Sequence, residues 1–107
     1  MTFVPKEVHN ARILVAVADK FNLPPADLAK RTYDHRISRA RQTYMYVLRE
    51  AKGYSSKEIG RVVGRDHSTV LHGWARVEKD PIWKAEADHL AISYMDIPTF
   101  SDRNFYL

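Results

Sequence analysis

The 107-residue chain has no cysteine. Disulfides and thiolate metal sites are therefore excluded, which fits a reducing compartment. It has only four glycines. None lies in a run ending in Gly-Lys-Ser/Thr, so no phosphate-cradling nucleotide loop is present. No apolar run approaches membrane-spanning length, and the opening "MTFVPKEVHN" lacks the apolar stretch of a signal peptide. No segment alternates in the manner of a strand, and there are no repeats or low-complexity tracts. These absences lead to the expectation of a soluble, cytoplasmic, all-α protein with no membrane partner.

What is present is charge, unevenly spread. The formal net charge is +4. Residues 1–29 carry three basic and three acidic side chains, whereas residues 30–79 carry twelve Lys/Arg against five Asp/Glu, net +7. Residues 80–107 are net −3, with two basic and five acidic groups. A basic middle suits a polyanion, nucleic acid before an anionic membrane, and a merely solvated surface is the plain alternative. The hydrophobic fraction, 45%, is enough for one packed domain.

Helical periodicity runs through most of the chain. Asn10 can cap a helix whose apolar residues Ile13, Leu14, Val17, Ala18 and Phe21 recur at spacings of three and four. The prolines Pro24 and Pro25 end it and suit the first turn of a short helix through Leu28. "KRTYDHR" (30–36) reads as a basic loop. A long helix is predicted over 37–51, with Ala40, Tyr44, Val47, Leu48 and Ala51 inward and Arg39, Arg41, Gln42 and Arg49 on other faces; Gly53 stops it. Ser55, three residues before Glu58, has the capping-box form and opens a short helix burying Ile59, Val62 and Val63. After Gly64-Arg65, Asp66 can cap the next helix through amides near Ser68 or Thr69. That helix carries Val70, Leu71, Trp74 and Val77, of which Val70, Leu71 and Trp74 anchor it to the core. Asp80-Pro81 starts a last helix with Ile82, Trp83, Ala87, Leu90 and Ala91, and "DIPTFSDRNFYL" closes the chain irregularly.

The stretch "GRDHSTVLH" (64–72) concentrates the polar chemistry. Asp66, His67 and Ser68 are tempting as a catalytic triad, but helix neighbours point about 100° apart and cannot relay a proton among themselves. His67 and His72 are five apart, about 140° around a helix, whereas a two-histidine zinc pattern needs a spacing of four. No metal, no cofactor and no enzymatic activity are therefore expected. A helix-turn-helix uses more of these residues, since the N-terminal residues of its second helix meet base edges in the major groove. Asp66 can accept from cytosine N4, Ser68 or Thr69 can bond bases or phosphate, and the Thr69 methyl can pack on a thymine methyl.

The same residues carry a resemblance. "GRDHSTVLH" resembles the signature of the C-terminal DNA-binding domain of the DnaA family of bacterial replication initiators, Gly-Arg-Asp-His-Ser/Thr-Thr-Val-Leu/Ile-His in form. "SSKEIG" (55–60), "SRARQTYMYVLRE" (38–50) and "ILVAVADKFNLPPADL" (13–28) are similar to its upstream segments, so the likeness covers about residues 10–79. It implies a Trp-repressor-like helix-turn-helix with an extra C-terminal helix and tail. It divides the chain into an N-terminal extension (1–9), a DNA-binding domain (10–79) and an acidic, aromatic appendage (80–107). It also implies that Arg65, Asp66, His67, Ser68 and Thr69 sit at the major groove of a short A·T-rich box, that Arg41 and Gln42 contact the DNA backbone or nearby bases, and that Arg76 meets phosphate. Arg39 and Lys57 join them as basic candidates. The family inserts an arginine of a basic loop into the minor groove, and here Lys30, Arg31 and Arg36 are the candidates. The loop departs from the pattern: it is one residue longer and interrupted by Asp34, and the turn at Val63-Gly64 is one residue shorter. The family's ATPase and helicase-loading modules have no counterpart in the sequence, so a standalone DNA reader is expected.

Trp74 and Tyr44 are expected in or near the core, and His72 as a packed, hydrogen-bonded histidine. Arg49 and Lys52 read as surface charges. Trp83, Tyr94, Phe100, Phe105 and Tyr106 either fold back on the core or hold a partner, such as an initiator, another replication protein or a second copy of the chain. The expected function is sequence-specific double-stranded DNA binding at nucleoid sites, regulating replication initiation or transcription. The alternative is a protein interaction module with vestigial DNA affinity.

Overall fold

Capping residues set most of the architecture. The computed structural model describes residues 5–95. The chain runs through α1 (Lys6–Lys20), a short 3-10 turn (Pro25–Ala29), α2 (His35–Lys52), α3 (Ser56–Val63), α4 (His67–Lys79) and α5 (Pro81–Ile92), with no strand among the described residues. Asp34 starts α2 by accepting from the amides of Arg36 and Ile37, satisfying two donors that the helix cannot. Ser55 and Glu58 close the expected capping box on α3. Asp66 starts α4 and Asp80 starts α5, where Pro81 occupies the first turn.

α2 is the axis of the molecule. It packs against every other helix, and Tyr44, Met45, Tyr46, Val47 and Leu48 are all buried. Five successive buried residues exceed one amphipathic stripe, because α1, α4 and α5 cover different sides of the same helix. Ile13 and Val17 of α1, Ile59 of α3, Val70 and Val77 of α4, and Trp83, Ala87 and Ala91 of α5 complete the core. Each large apolar side chain so buried contributes about 1.5–3 kcal/mol before entropy opposes it.

Two glycines let the helices come this close. A Cβ on Gly60 would lie 2.5 Å from the Arg65 carbonyl oxygen, so α3 meets the following turn only because that position has no side chain. On Gly73 a Cβ would strike the terminal methyl of Met45, so α4 packs against α2 through a position without a side chain.

The structure corrects several expectations. Asn10 is not a cap: α1 begins a turn earlier at Lys6, and Asn10 is buried inside it. Its carbonyl accepts from the Tyr44 hydroxyl and its side-chain oxygen from the Tyr54 hydroxyl, both at 3.1 Å. Leu71 and Val62 are exposed rather than buried. The inner stripe of α4 is Val70, Gly73 and Val77, and Leu71 lies one residue, about 100°, off it. His72 is exposed too, not packed. At the other end, Trp83 is buried and the ring of partly buried Tyr94 lies 5.6 Å from that of His9. Phe100, Phe105 and Tyr106 lie outside the described residues.

Candidate nucleic-acid interface

The turn between α3 and α4 is built from backbone chemistry. Gly64 adopts φ +70, and the amides of Gly64 and Arg65 both donate to the Gly60 carbonyl. The chain is thereby reversed within two residues before Asp66 caps α4. Asp66 Oδ1 accepts from the Thr69 amide at 2.9 Å. That backbone hydrogen bond is the main reason the Asp66 carboxyl sits below its ordinary pKa. One carboxylate oxygen is thus occupied by the helix.

The first turn of α4 faces outward. His67, Ser68 and Thr69 are exposed, and Leu71 and His72 extend the same open surface. No element among the described residues covers them. The positive end of the helix dipole lies there, with the Thr69 amide already answered by Asp66.

Cationic side chains surround this tip. Arg31, Lys57, Arg61 and Arg65 line a hollow with Asp66, His67 and Thr69. Arg65 folds back to donate to the Val63 and Gly64 carbonyls, both at 3.2 Å, and to the Lys30 carbonyl at 3.3 Å. Arg31 also donates to the Gly64 carbonyl, at 3.4 Å. The loop before α2 and the turn before α4 are thus laced together by arginines. A second hollow lies at the other end of α4, lined by His35, Ser38, Arg39, Gln42, Arg76, Lys79 and Asp80 among others.

Arg41 is placed unlike the others. Its side chain runs inward, and its guanidinium donates to the carbonyls of Leu28, at 2.6 Å, and Lys30. Burial foremost, then the positive charges of Arg65 and Arg31, pull its pKa down. It holds the 28–30 segment from beneath, and is not aimed outward as an exposed backbone contact would be. Gln42 is half-buried at the α2–α4 contact, where its Cγ would lie 3.3 Å from a Cβ on Gly73.

The remaining candidates divide by position. Arg31, Lys57, Arg65, Asp66, His67 and Thr69 converge on the first hollow, and Arg39, Gln42 and Arg76 on the second. Ser68 is exposed and lines neither. Lys30 Nζ pairs with Asp27 at 2.9 Å, and Arg36 is exposed on the first turn of α2, lining neither. Arg61 and Lys79 also line these hollows. Arg61 follows Lys57 by four and Lys79 follows Arg76 by three, spacings that share a helix face. Tyr33, fully exposed at the loop tip, carries no periodic signal at all. Among the described residues, no three His, Asp or Glu side chains gather in a way that could hold a metal ion, and no helix is long and apolar enough to cross a membrane.

The profile of the family described as bacterial dnaA protein helix-turn-helix matches residues 11–77, well over half the chain. The chain belongs to that family. It is similar to the chromosomal replication initiator protein DnaA of Herminiimonas arsenicoxydans, at 35% identity over 85 residues, 78% of this chain and 18% of the relative. The DnaA of Zymomonas mobilis subsp. mobilis is 38% identical over 73 residues, 67% of this chain and 15% of the relative. That of Deinococcus deserti is 36% identical over 77 residues, 70% and 17% respectively. The chain thus spans less than a fifth of the length of these DnaA relatives. α3 and α4 are its helix-turn-helix, and the likeness is to a DNA-binding domain.

Proposed function

We propose that this domain reads short A·T-rich duplex sites of the initiator-box type, and that it acts at them in replication initiation or transcription control by occupying DNA rather than by turning over ATP. The observation that carries this reading is the open first turn of α4 with a cationic hollow at each end of the helix. The names of the relatives, chromosomal replication initiators, favour replication over other roles.

In this reading two kinds of contact divide the labour. Arg31, Lys57, Arg61, Arg39, Arg76 and Lys79 neutralise phosphates and set register without reading sequence. His67, Ser68 and Thr69 meet base edges, with the Thr69 methyl against a thymine methyl and the Asp66 carboxylate accepting from a cytosine amine. Arg65, tied to three carbonyls, fixes the turn and lends its charge. Arg41 acts on DNA only through the loop it supports.

Titration of labelled duplexes, one with a box and one scrambled, at two salt concentrations tests this. Six phosphate contacts predict a loss of about a thousandfold in affinity between roughly 50 and 200 mM salt. The box is expected to be preferred, and Thr69→Ala to remove about 1–3 kcal/mol of that preference. If neither duplex binds at moderate salt, DNA reading is abandoned in favour of a protein interaction module.

A further inference from the structure

α5 lies beyond residues 11–77, the segment the family profile matches, yet it contributes to the second hollow. The guanidinium carbon of Arg39 stands 4.2 Å from the centroid of a Trp83 ring. The indole is fixed in turn: its Nε1 donates to Thr43 Oγ1 at 2.8 Å, and the Thr43 hydroxyl donates to the Arg39 carbonyl at 2.8 Å. Side chain and main chain of Arg39 are therefore both referred to one buried Trp–Thr pair. Asp80 Oδ2 approaches Arg39 Nη2 only to 3.8 Å, while Asp80 Oδ1 is occupied by the amides of Ile82 and Trp83. It is the one acidic residue lining a hollow that also holds Arg39, Arg76 and Lys79, which remains net positive.

The spacing suits a duplex. From His67 to Arg76 is nine residues, about 14 Å along a helix axis. The major groove is about 12 Å wide. Hollows at the two ends of α4 can thus meet the phosphates of the two strands that border one groove.

We propose that Trp83 is a positioning residue for Arg39, and that through it α5 completes a phosphate-binding site for the second DNA strand. This rests on the DNA-reading proposal above. An arginine stacked in advance on a fixed indole gives up less rotamer freedom when it meets a phosphate than one free in solvent. Its planar fork stacks and bonds at once, which an ammonium cannot do.

The test is a salt series of box-duplex titrations on the whole chain, with melting temperatures alongside. Arg39→Ala should weaken box and scrambled duplexes alike, about five- to tenfold, and lower the salt slope by about one. Trp83→Phe keeps a ring beneath the guanidinium but gives up the bond to Thr43 that fixes it, and should lose clearly less affinity than Trp83→Leu. Trp83→Leu loses the ring, and should reproduce most of the Arg39→Ala loss while adding little to it in the double variant. Equal effects of Phe and Leu, or additive losses in the double variant, would mean that Trp83 merely supports the fold and would overturn the proposal. Should Trp83→Leu not fold, Arg39→Lys decides: it keeps the charge and the slope but is expected to bind about threefold more weakly, and parental affinity refutes positioning by the ring. A parent that binds the box while the Arg39 variants match it sinks this inference alone. A parent that binds neither duplex sinks it together with the DNA-reading proposal.

Discussion

Arg41 and Arg65 donate to one acceptor, the main-chain carbonyl of Lys30. One comes from beneath, out of α2, and the other from the turn that precedes α4. The shared acceptor ties the position of the 30–33 loop to that of the helix tip. Arg41→Ala would leave the buried Leu28 carbonyl without its partner, at a cost of about 1–3 kcal/mol. We expect a melting temperature several degrees lower, with DNA affinity falling for box and scrambled sequences alike. Arg41→Lys should recover only part, since one ammonium does not reproduce the planar fork that spans two carbonyls. Reduced affinity at an unchanged melting temperature would instead make Arg41 a direct DNA contact.

Gly60 and Gly73 both permit close approach, but their neighbours differ in stiffness. At Gly60 the obstacle is the Arg65 backbone carbonyl, and at Gly73 it is the flexible end of Met45. Gly60→Ala is expected to destabilise by about 1–3 kcal/mol, as overpacking does. Gly73→Ala should cost less, because Met45 can change rotamer and alanine is favoured over glycine within a helix by about 1 kcal/mol. Chemical denaturation of both variants checks the order, and equal losses would contradict it.

The contrast between those two glycines also explains what could be read in advance. Caps are local chemistry, so Ser55 with Glu58, Asp66, and Asp80 with Pro81 mark helix starts that the structure keeps. Asp34 is as local, but among basic residues it reads as an interruption of a loop, when it is the cap of α2. Faces are harder. Gly60 and Gly73 hold buried positions without an apolar side chain, so the apolar pattern shifts the inner faces of α3 and α4 toward Val62 and Leu71. Arg41 shows the same limit for charge: periodicity cannot tell a guanidinium turned in to carbonyls from one turned out to phosphate. The hollow completed by Arg39 and Trp83 joins residues from two helices and depends on packing that no spacing encodes.

The capping carboxylates make a prediction about acid. Asp66 and Glu58 both sit below their ordinary pKa, through the Thr69 and Ser55 backbone amides foremost. A depressed native value means that the contribution is complete above the unfolded value, near pH 4, and is lost as pH falls through the native one. The double variant Asp66→Asn, Glu58→Gln retains capping geometry without titrating. Its melting temperature should therefore fall less steeply than the parent's below about pH 4. Superimposable acid limbs would rule this out.

Arg49 reads as a surface charge in sequence and is built as a strut. Its guanidinium carbon lies 4.8 Å from the ring centroids of both Tyr46 and Trp74, and it bonds Glu50 at 3.2 Å and Glu78 at 3.1 Å. Burial pulls its pKa down, but the Glu78 hydrogen bond and the two carboxylate charges outweigh that and hold it above its ordinary value. With its charge already answered by two carboxylates, it has little left for a phosphate. Arg49→Ala should lower stability by about 1 kcal/mol, from lost stacking and packing, and leave the salt slope of DNA binding where it was. Arg39→Ala should do the reverse, with the slope falling by about one. Run side by side, the two substitutions separate arginines that build the domain from arginines that grip its ligand, and a slope change at Arg49 would move it to the second group.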